Sequence, residues 1–173
     1  KSLNCGIGSN DKKINVKKNL KIAKGKISKN SKNILLPHQS HSNKFVYINE
    51  NQNVKKKKIY ADALITNQKR LPIGILTADC VPILIYENKI KMIAAIHAGW
   101  KGAYKDIINK VINFMLKKGC KKKSIHAAIG PCICQKNYNV KKDFYRKFMK
   151  KSKKNRFFFK ERNNIIYFNL PEY

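Results

Sequence analysis

The chain has 173 residues, and 43% of them are hydrophobic, which is enough to bury one sizeable core and too much for a disordered chain. Lys and Arg number 39 and Asp and Glu number 9, so the formal net charge is +30. No apolar run approaches the about 20 residues that a membrane-spanning helix needs. These totals exclude a helical membrane protein and a disordered tail, and they favour one globular domain.

The large positive charge has two interpretations. It is typical of proteins that bind nucleic acids or membrane surfaces. It is also what compositional drift produces, because Lys, Asn and Ile recur along the whole chain and the charge is not gathered on one helix. We favour drift, although the positive field would in either case attract anionic ligands such as phosphate.

The cysteines show no paired framework. There are five of them, at positions 5, 80, 120, 132 and 134. An odd number of cysteines, together with the lack of a signal-like start, predicts a reducing, cytoplasmic setting.

The predicted elements of the first half are one helix and a series of short strands. Apolar residues at Val16, Leu20, Ala23 and Ile27 have helical spacing and predict an amphipathic helix over 14–28. A polar loop is expected over 49–58. The predicted strands cover residues 34–36, 44–48, 59–66, 73–76, 82–86 and 90–96.

In the second half, an apolar face that includes Tyr104, Ile107, Val111 and Met115 predicts a helix after Gly102. This helix should end at Gly119, as glycine commonly ends helices. A strand over 124–129, a helix marked by Val140, Phe144 and Phe148, and a last strand over 165–170 follow.

The alternation of strands and helices favours an α/β fold, a single layered domain with a mixed β-sheet core flanked by helices. The continuous apolar runs at 73–76 and 82–86 further suggest a sheet that is covered on both faces.

Residues 75–102 hold the densest set of reactive side chains. Cys80 lies in a Thr-Ala-Asp-Cys-Val-Pro corner, and His97 ends an apolar run. Both are expected to end adjacent strands and to face one pocket. With His41 they would bring one thiolate and two imidazoles together, a set that suits Zn²⁺ in an open catalytic site and also copper. Spacing alone leaves a buried structural cysteine and two hydrogen-bonded histidines as the alternative.

The neighbours of these residues strengthen the case for a site. Asp79 is expected inside an apolar sheet, where a carboxylate is costly unless it is paired or near a metal. Gly99 lets the backbone approach a ligand closely. Trp100 could form a flat pocket wall or pack in the core, and Lys101 could neutralise an anion or be one more exposed lysine.

Six segments occur in a recognisable order: Ser2-Leu3-Asn4-Cys5-Gly6, His38-Gln39-Ser40-His41-Ser42, Ala61-Asp62-Ala63-Leu64-Ile65-Thr66, Thr77-Ala78-Asp79-Cys80-Val81-Pro82, His97-Ala98-Gly99-Trp100-Lys101-Gly102 and Gly130-Pro131-Cys132-Ile133. In sequence and order they resemble the YfiH-like laccase-domain family. Its members are also described as multicopper polyphenol oxidoreductase-like proteins and as purine nucleoside phosphorylases. The resemblance covers nearly the whole chain and implies that residues 1–173 form one YfiH-like domain, incomplete at both ends.

The resemblance also implies the site. It places the metal ligands on His41, Cys80 and His97, and the cofactor would be Zn²⁺ with Cu²⁺ as the alternative. His126 matches no ligand of the family and is expected to be structural, and His38 is expected to support the ligands or to pack.

The resemblance implies a zinc-dependent purine nucleoside phosphorylase that acts on adenosine, inosine or methylthioadenosine, with adenosine deamination as a further activity. Its partners would be a nucleoside and phosphate, with no membrane, no specific nucleic acid, and a monomeric or weakly dimeric state. The residues that would serve catalysis are Asp62, Asp79 and Lys101. Those that would bind substrate are Asn4, Lys21, Ser42 and Trp100.

Four positions depart from the family pattern: Leu20, Lys101, Cys134, where the family favours Gly, and Asn139, where it often has Glu. Lys101 stands where the family usually has Arg, so the charge remains but the bidentate geometry is lost. Leu20 stands where the family often has Arg, and Lys21 would compensate for it.

Two other functions remain open. Copper-dependent oxidation of polyphenols needs several copper ions, and the sequence offers one good set of three ligands. A basic nucleic-acid-binding protein would account for the charge. Against it, the aromatic residues are not interleaved with basic residues along the sequence as in a stacking surface.

Overall fold

The computed structural model describes residues 3–27, 33–49 and 58–173. The helices are α1 (Lys13–Ile27), α2 (Trp100–Tyr104), α3 (Ile107–Lys117) and α4 (Lys142–Lys151). The strands are β1 (Phe45–Ile48), β2 (Ala63–Thr66), β3 (Val81–Glu87), β4 (Met92–Ala98), β5 (Ile125–Ile129), β6 (Asn139–Val140), β7 (Phe159–Arg162) and β8 (Ile165–Phe168).

The strands form two sheets that share one hydrophobic core. The larger sheet has the order β1-β2-β4-β3-β5, with β1 and β2 parallel and all other neighbours antiparallel. The smaller sheet has the order β6-β8-β7 and is antiparallel throughout. The predicted α/β domain with a mixed sheet and flanking helices is therefore confirmed.

Helix α3 covers one face of the larger sheet. Its buried side chains are Ile107, Val111 and Met115, which follow the spacing of four residues that places them on one face. On the same face β4 carries the small side chains of Ala94 and Ala98, so that the helix can lie close to the sheet. The same core continues to the aromatic side chains of α4 and the smaller sheet.

The strand register brings three segments of the sequence together at one end of the larger sheet. Val81 pairs with Ala98 and Pro82 with His97, so the beginning of β3 lies beside the end of β4. The N–H of His97 also donates to the carbonyl of Asp62, just ahead of β2, at 2.7 Å. Cys80 and His97 are thus neighbours as predicted, although Cys80 precedes its strand and does not end one.

Several predicted strands are shorter than expected. Residues 34–36 and 73–76 form no strands but a single parallel bridge between Leu35 and Ile73. The adjoining Pro37 and Pro72 lack the N–H that a longer ladder would need. The prediction of a sheet covered on both faces was wrong for β3, where Leu84 and Tyr86 are exposed. The strand β7 was not predicted, because charged residues dominate its sequence.

The predicted helix after Gly102 is two helices, α2 and α3, because Asp106 adopts a left-handed conformation with φ 60° between them. Its predicted end at Gly119 is confirmed. That glycine has φ 95°, and the N–H groups of Gly119 and Cys120 donate to the carbonyls of Leu116 and Met115.

One further element differs from the prediction, and two predicted regions cannot be compared with the structure. Val140 belongs to β6 and not to the last helix. Most of the predicted polar loop at 49–58, and residue 28, lie outside the described residues. Among the helices that the structure describes, none has both the length and the apolar character needed to cross a membrane.

Candidate metal centre

His41, Cys80 and His97 converge at the end of the larger sheet. One donor atom of each lies within 4.8 Å of the other two, and the imidazole rings of His41 and His97 meet edge to face, with centroids 4.8 Å apart. His97 is buried, Cys80 is half-buried and His41 is exposed. Two nitrogen donors and one sulfur donor at this spacing, open on one side, fit a three-ligand Zn²⁺ or copper site.

The carboxylate of Asp62 organises this cluster from behind. Its side chain is fully buried and accepts five hydrogen bonds. The backbone N–H groups of Ser40, His41 and Ser42 donate at 3.3, 3.0 and 2.7 Å, and the hydroxyl of Ser42 donates at 2.6 Å. The fifth partner is Nδ1 of His97, at 2.8 Å.

The loop that carries His41 is shaped around this carboxylate. His41 has φ 57°, a left-handed conformation that non-glycine residues seldom adopt, and its cost is offset here by the hydrogen bonds. Three successive N–H groups that converge on one anion form a backbone nest. Asp62 therefore orients His41 through the backbone and His97 through the side chain.

The hydrogen bonds also set the protonation of the buried pair. Burial opposes ionisation of Asp62, but the hydrogen bonds from Ser42 and His97 outweigh it and lower the pKa of its carboxyl. Burial lowers the pKa of His97, against the opposing effect of Asp62, so the ring is neutral at pH 7. Since the ionised Asp62 accepts from Nδ1, Nε2 of His97 carries the free lone pair, which is the arrangement typical of metal-binding histidines.

Cys80 sits on a loop that is tied to the His41 loop. The side-chain amide of Gln39 donates to the carbonyl of Leu76 and accepts from the N–H of Leu76, both at 2.7 Å. The N–H of Ile133 holds the carbonyl of Asp79 at 2.9 Å. Burial raises the pKa of the Cys80 thiol, with the charges of Asp79 and Asp62 adding to the effect. A metal would therefore release a proton from this cysteine as it binds.

Gly99 leaves the space that the ligands occupy. A Cβ atom added to it would lie 2.9 Å from Sγ of Cys80 and 2.9 Å from Cδ2 of His41. No real Cβ atom tolerates such contacts, so any side chain at this position would displace two of the three ligands.

Replacing Gly99 by alanine is expected to weaken metal binding by about 10- to 100-fold, the range for changes that disturb the support of ligands. The measurement is titration of the metal-free protein with Zn²⁺ against a competing chelator. The matched control is Gly25→Ala in α1, where an added Cβ meets nothing within 4 Å. That control should keep full affinity and gain about 0.5–1 kcal/mol of stability. Equal affinities in the two variants would contradict this packing of the ligands.

A cavity of about 890 Å³ opens in front of the three ligands. Ile75 and Leu76 line it with apolar surface, and Asn4, Gln39 and Asp79 supply polar groups. Asp79 is exposed, so the prediction that it is buried in the sheet was wrong. It lies in the bend before β3, and the aspartate that is buried among apolar strands is Asp62.

Of the other predicted site residues, some lie at the cavity and others do not. Asn4 lines the cavity, but its side-chain amide is engaged in the turn through bonds to Ser9 and to the N–H of Gly6. Ser42 faces Asp62. The structure does not bring Lys21, Trp100 or Lys101 to the cavity wall.

Trp100 and Lys101 belong to α2 and are absent from the lining of this cavity. Trp100 packs edge to face against Phe144, and Nζ of Lys101 lies 5.7 Å from the centroid of its indole.

His126 is exposed on β5, and His38 contacts Tyr60, so neither lies in the cluster. The hydrogen bonds by which Gln39 links the His41 loop to Leu76 were not predicted, because nothing in the local sequence indicates them.

Residues 1–173 match the family model described as multi-copper polyphenol oxidoreductase laccase. The chain belongs to this laccase-like family. The match confirms the resemblance noted in the sequence. His41, Cys80 and His97 all come from segments that carried that resemblance.

Similar proteins include a purine nucleoside phosphorylase of Rickettsia conorii. It is 34% identical over 169 residues, which cover 91% of this chain and 68% of that protein. A purine nucleoside phosphorylase of Rickettsia prowazekii is 35% identical over 83% of this chain and 58% of its own length. An adenosine deaminase from an unknown prokaryotic organism is 32% identical over 68% of this chain and 47% of its own length.

Solved structures share the fold. The hypothetical protein YfiH of Bacillus licheniformis superposes with a TM-score of 0.87 at 23% identity, covering 99% of this chain and 67% of that one. YlmD of Geobacillus stearothermophilus gives a TM-score of 0.84 at 20% identity over 99% of this chain and 67% of that chain. The chain thus spans from about half to two thirds of the length of these relatives.

Proposed function

We propose that this chain carries the metal centre and substrate cavity of a zinc-dependent purine nucleoside phosphorylase. The observation that carries the proposal is the convergence of His41, Cys80 and His97 within 4.8 Å at the mouth of a cavity of about 890 Å³. Pockets of this size hold a small organic ligand. Relatives named purine nucleoside phosphorylase support the reaction class.

The three ligands are proposed to hold the metal, with the fourth position open to the cavity. The donor set fits, and Gly99 provides the space that the ligands need. A metal bound there would supply Lewis-acid stabilisation to oxygen atoms of the substrates. Asp62 keeps the ring of His97 in the tautomer that leaves Nε2 free, and its nest holds His41 in place.

Phosphorolysis joins phosphate to C1′ of the ribose as the bond to the purine breaks, and the ribose develops positive charge in between. The chain's residues contribute orientation and charge to this step. We assign Asp79, an exposed carboxylate on the cavity wall, to a ribose hydroxyl or to the developing charge. The apolar wall at Ile75 and Leu76 would receive the flat purine.

Phosphate would be attracted to the cavity by the positive charge of the surrounding chain. The cavity lining contains no Lys or Arg among the residues that the structure describes. Lys101 and Lys21 therefore act, in this proposal, through the positive field around the site and not by a contact that the structure shows.

The phosphorylase proposal predicts that purified, zinc-loaded protein releases hypoxanthine from inosine only when phosphate is present. The measurement is chromatography of base and sugar phosphate in matched reactions with and without phosphate. Ribose 1-phosphate should appear in equal amount to the free base. Base release at the same rate without phosphate would overturn the phosphorylase mechanism.

Adenosine deamination is a second candidate, because a three-ligand zinc site with an open position also suits activation of water. A relative named adenosine deaminase points the same way. Conversion of adenosine to inosine, without free base and regardless of phosphate, would identify it. Polyphenol oxidation ranks lower, since the described residues hold one cluster of three metal-binding side chains and a multicopper mechanism needs more.

A further inference from the structure

A second cavity lies beside Trp100, the residue that follows Gly99 in the chain. Its volume is about 500 Å³ and its lining contains none of the three ligands. Trp100, Tyr138 and Phe144 provide aromatic walls, and Lys141 and Lys147 provide positive charge. We call this cavity the aromatic groove.

Lysine ammonium groups lie against the aromatic rings of the groove. Nζ of Lys147 is 5.2 Å from the ring centroid of Trp100 and 5.4 Å from that of Tyr104, and Nζ of Lys101 is 5.7 Å from Trp100. None of these lysines forms a salt bridge with another described residue. The one acidic residue in the lining, Asp143, is already within 3.4 Å of Arg146.

The groove is continuous with the most basic segment of the chain. Residues 141–162 contain eleven Lys and Arg residues, at 141, 142, 146, 147, 150, 151, 153, 154, 156, 160 and 162, against Asp143 and Glu161, a difference of +9. All eleven are exposed. At the groove itself, Lys141 and Lys147 of this segment lie beside the aromatic walls.

We propose that the aromatic groove binds single-stranded nucleic acid. A positively charged surface that follows a phosphate backbone, next to aromatic rings on which bases stack, is the combination by which proteins bind single strands without reading sequence. Lys141 and Lys147, which are exposed and form no salt bridge with another described residue, would contact the phosphate backbone. This site is independent of the metal centre, because the two cavities share no lining residue.

The single tryptophan of the chain makes the test direct, because Trp100 is the only indole and lies in the groove. Titration with an oligouridylate of about 10 nucleotides should change its fluorescence. The double variant Lys141→Gln with Lys147→Gln should weaken binding by about tenfold or more. It should also reduce the slope of log K against log salt concentration by about 1.4, because each phosphate contact contributes about 0.7 for a single strand.

A matched double variant, Lys122→Gln with Lys123→Gln, removes the same charge from exposed positions before β5, outside the groove lining. It should weaken binding only about twofold, because distant exposed charges are screened. Folding of each variant is checked by circular dichroism and its zinc content is measured. Equal losses in the two double variants would overturn the proposal and leave charge drift as the explanation.

The contribution of stacking is tested with inorganic polyphosphate and a polyglutamate peptide of matched charge. Both should bind more weakly than the oligonucleotide and change the Trp100 signal less. Tighter binding of the peptide, or an equal fluorescence change with polyphosphate, would also overturn the assignment to nucleic acid.

Discussion

Cys80→Ala is expected to remove the metal and the phosphorolytic activity together. Cys80 is the one sulfur among the three ligands, and its loss leaves two imidazoles, which hold Zn²⁺ far more weakly than three ligands do. Because even the loss of a supporting residue costs 10- to 100-fold in metal affinity, the loss of a ligand should exceed about 100-fold. The measurement is metal content per chain by mass spectrometry after gel filtration, alongside phosphorolysis of inosine.

The control for this variant is Cys134→Ala, an exposed cysteine outside the cluster. It should retain metal and activity at the level of the parent chain. In their metal-free forms both variants should unfold at similar temperatures, since Cys80 is only half-buried. Unchanged zinc in Cys80→Ala would refute the assignment of the centre, and with it the proposed function.

Asp62→Asn is expected to damage both the fold and the centre. Five donors converge on the carboxylate, and an amide in its place would turn one of its two acceptors into a donor that faces other donors. The loss should be about 3 kcal/mol in the free energy of unfolding. Zinc affinity should fall by about 10- to 100-fold, because His97 loses the partner that fixes its tautomer. Denaturant unfolding and chelator competition measure the two effects.

The pH dependence of stability shows how much the charge of Asp62 contributes, because asparagine has nearly the same shape and no charge. The pKa of Asp62 is lowered in the folded state, so its contribution is fully present above the unfolded pKa of about 3.9 and is lost as the pH falls through the folded pKa. The metal-free parent should therefore lose stability in acid more steeply than metal-free Asp62→Asn. Asp79→Asn, at an exposed position in the same cavity, should leave stability unchanged. Parallel acid curves for the parent and Asp62→Asn would contradict this account.

The architecture and the proximity of Cys80 to His97 could be predicted from the sequence better than the contacts that hold these side chains in place. Cys80 and His97 could be placed side by side because the apolar runs that flank them pair in an antiparallel hairpin. Local periodicity also located α1 and the end of α3. It could not show that the apolar run at 82–86 has one open face, since that depends on what packs against it.

The two aspartates show where sequence-based inference failed. Asp79 lies among apolar residues in the sequence but at a bend in space. Asp62, in contrast, is enclosed by a loop that lies 20 to 22 residues before it and by His97 of β4, 35 residues after it. Long-range hydrogen bonds of this kind leave no local pattern. Trp100 likewise follows a site residue by sequence and yet turns to the aromatic groove, because α2 begins at that position.

The carboxylate nest around Asp62 has a consequence for how the protein acquires its metal. In small zinc domains the ion is the cross-link, and the apoprotein is unfolded. Here an anion fixed in the chain already joins the loop of His41 to His97 on β4, so the empty form has its own cross-link of hydrogen bonds. The metal should then exchange in a folded molecule, which lets zinc and copper compete for one preformed set of ligands. Which metal the centre carries would be decided by supply in the cell more than by the folding of the chain.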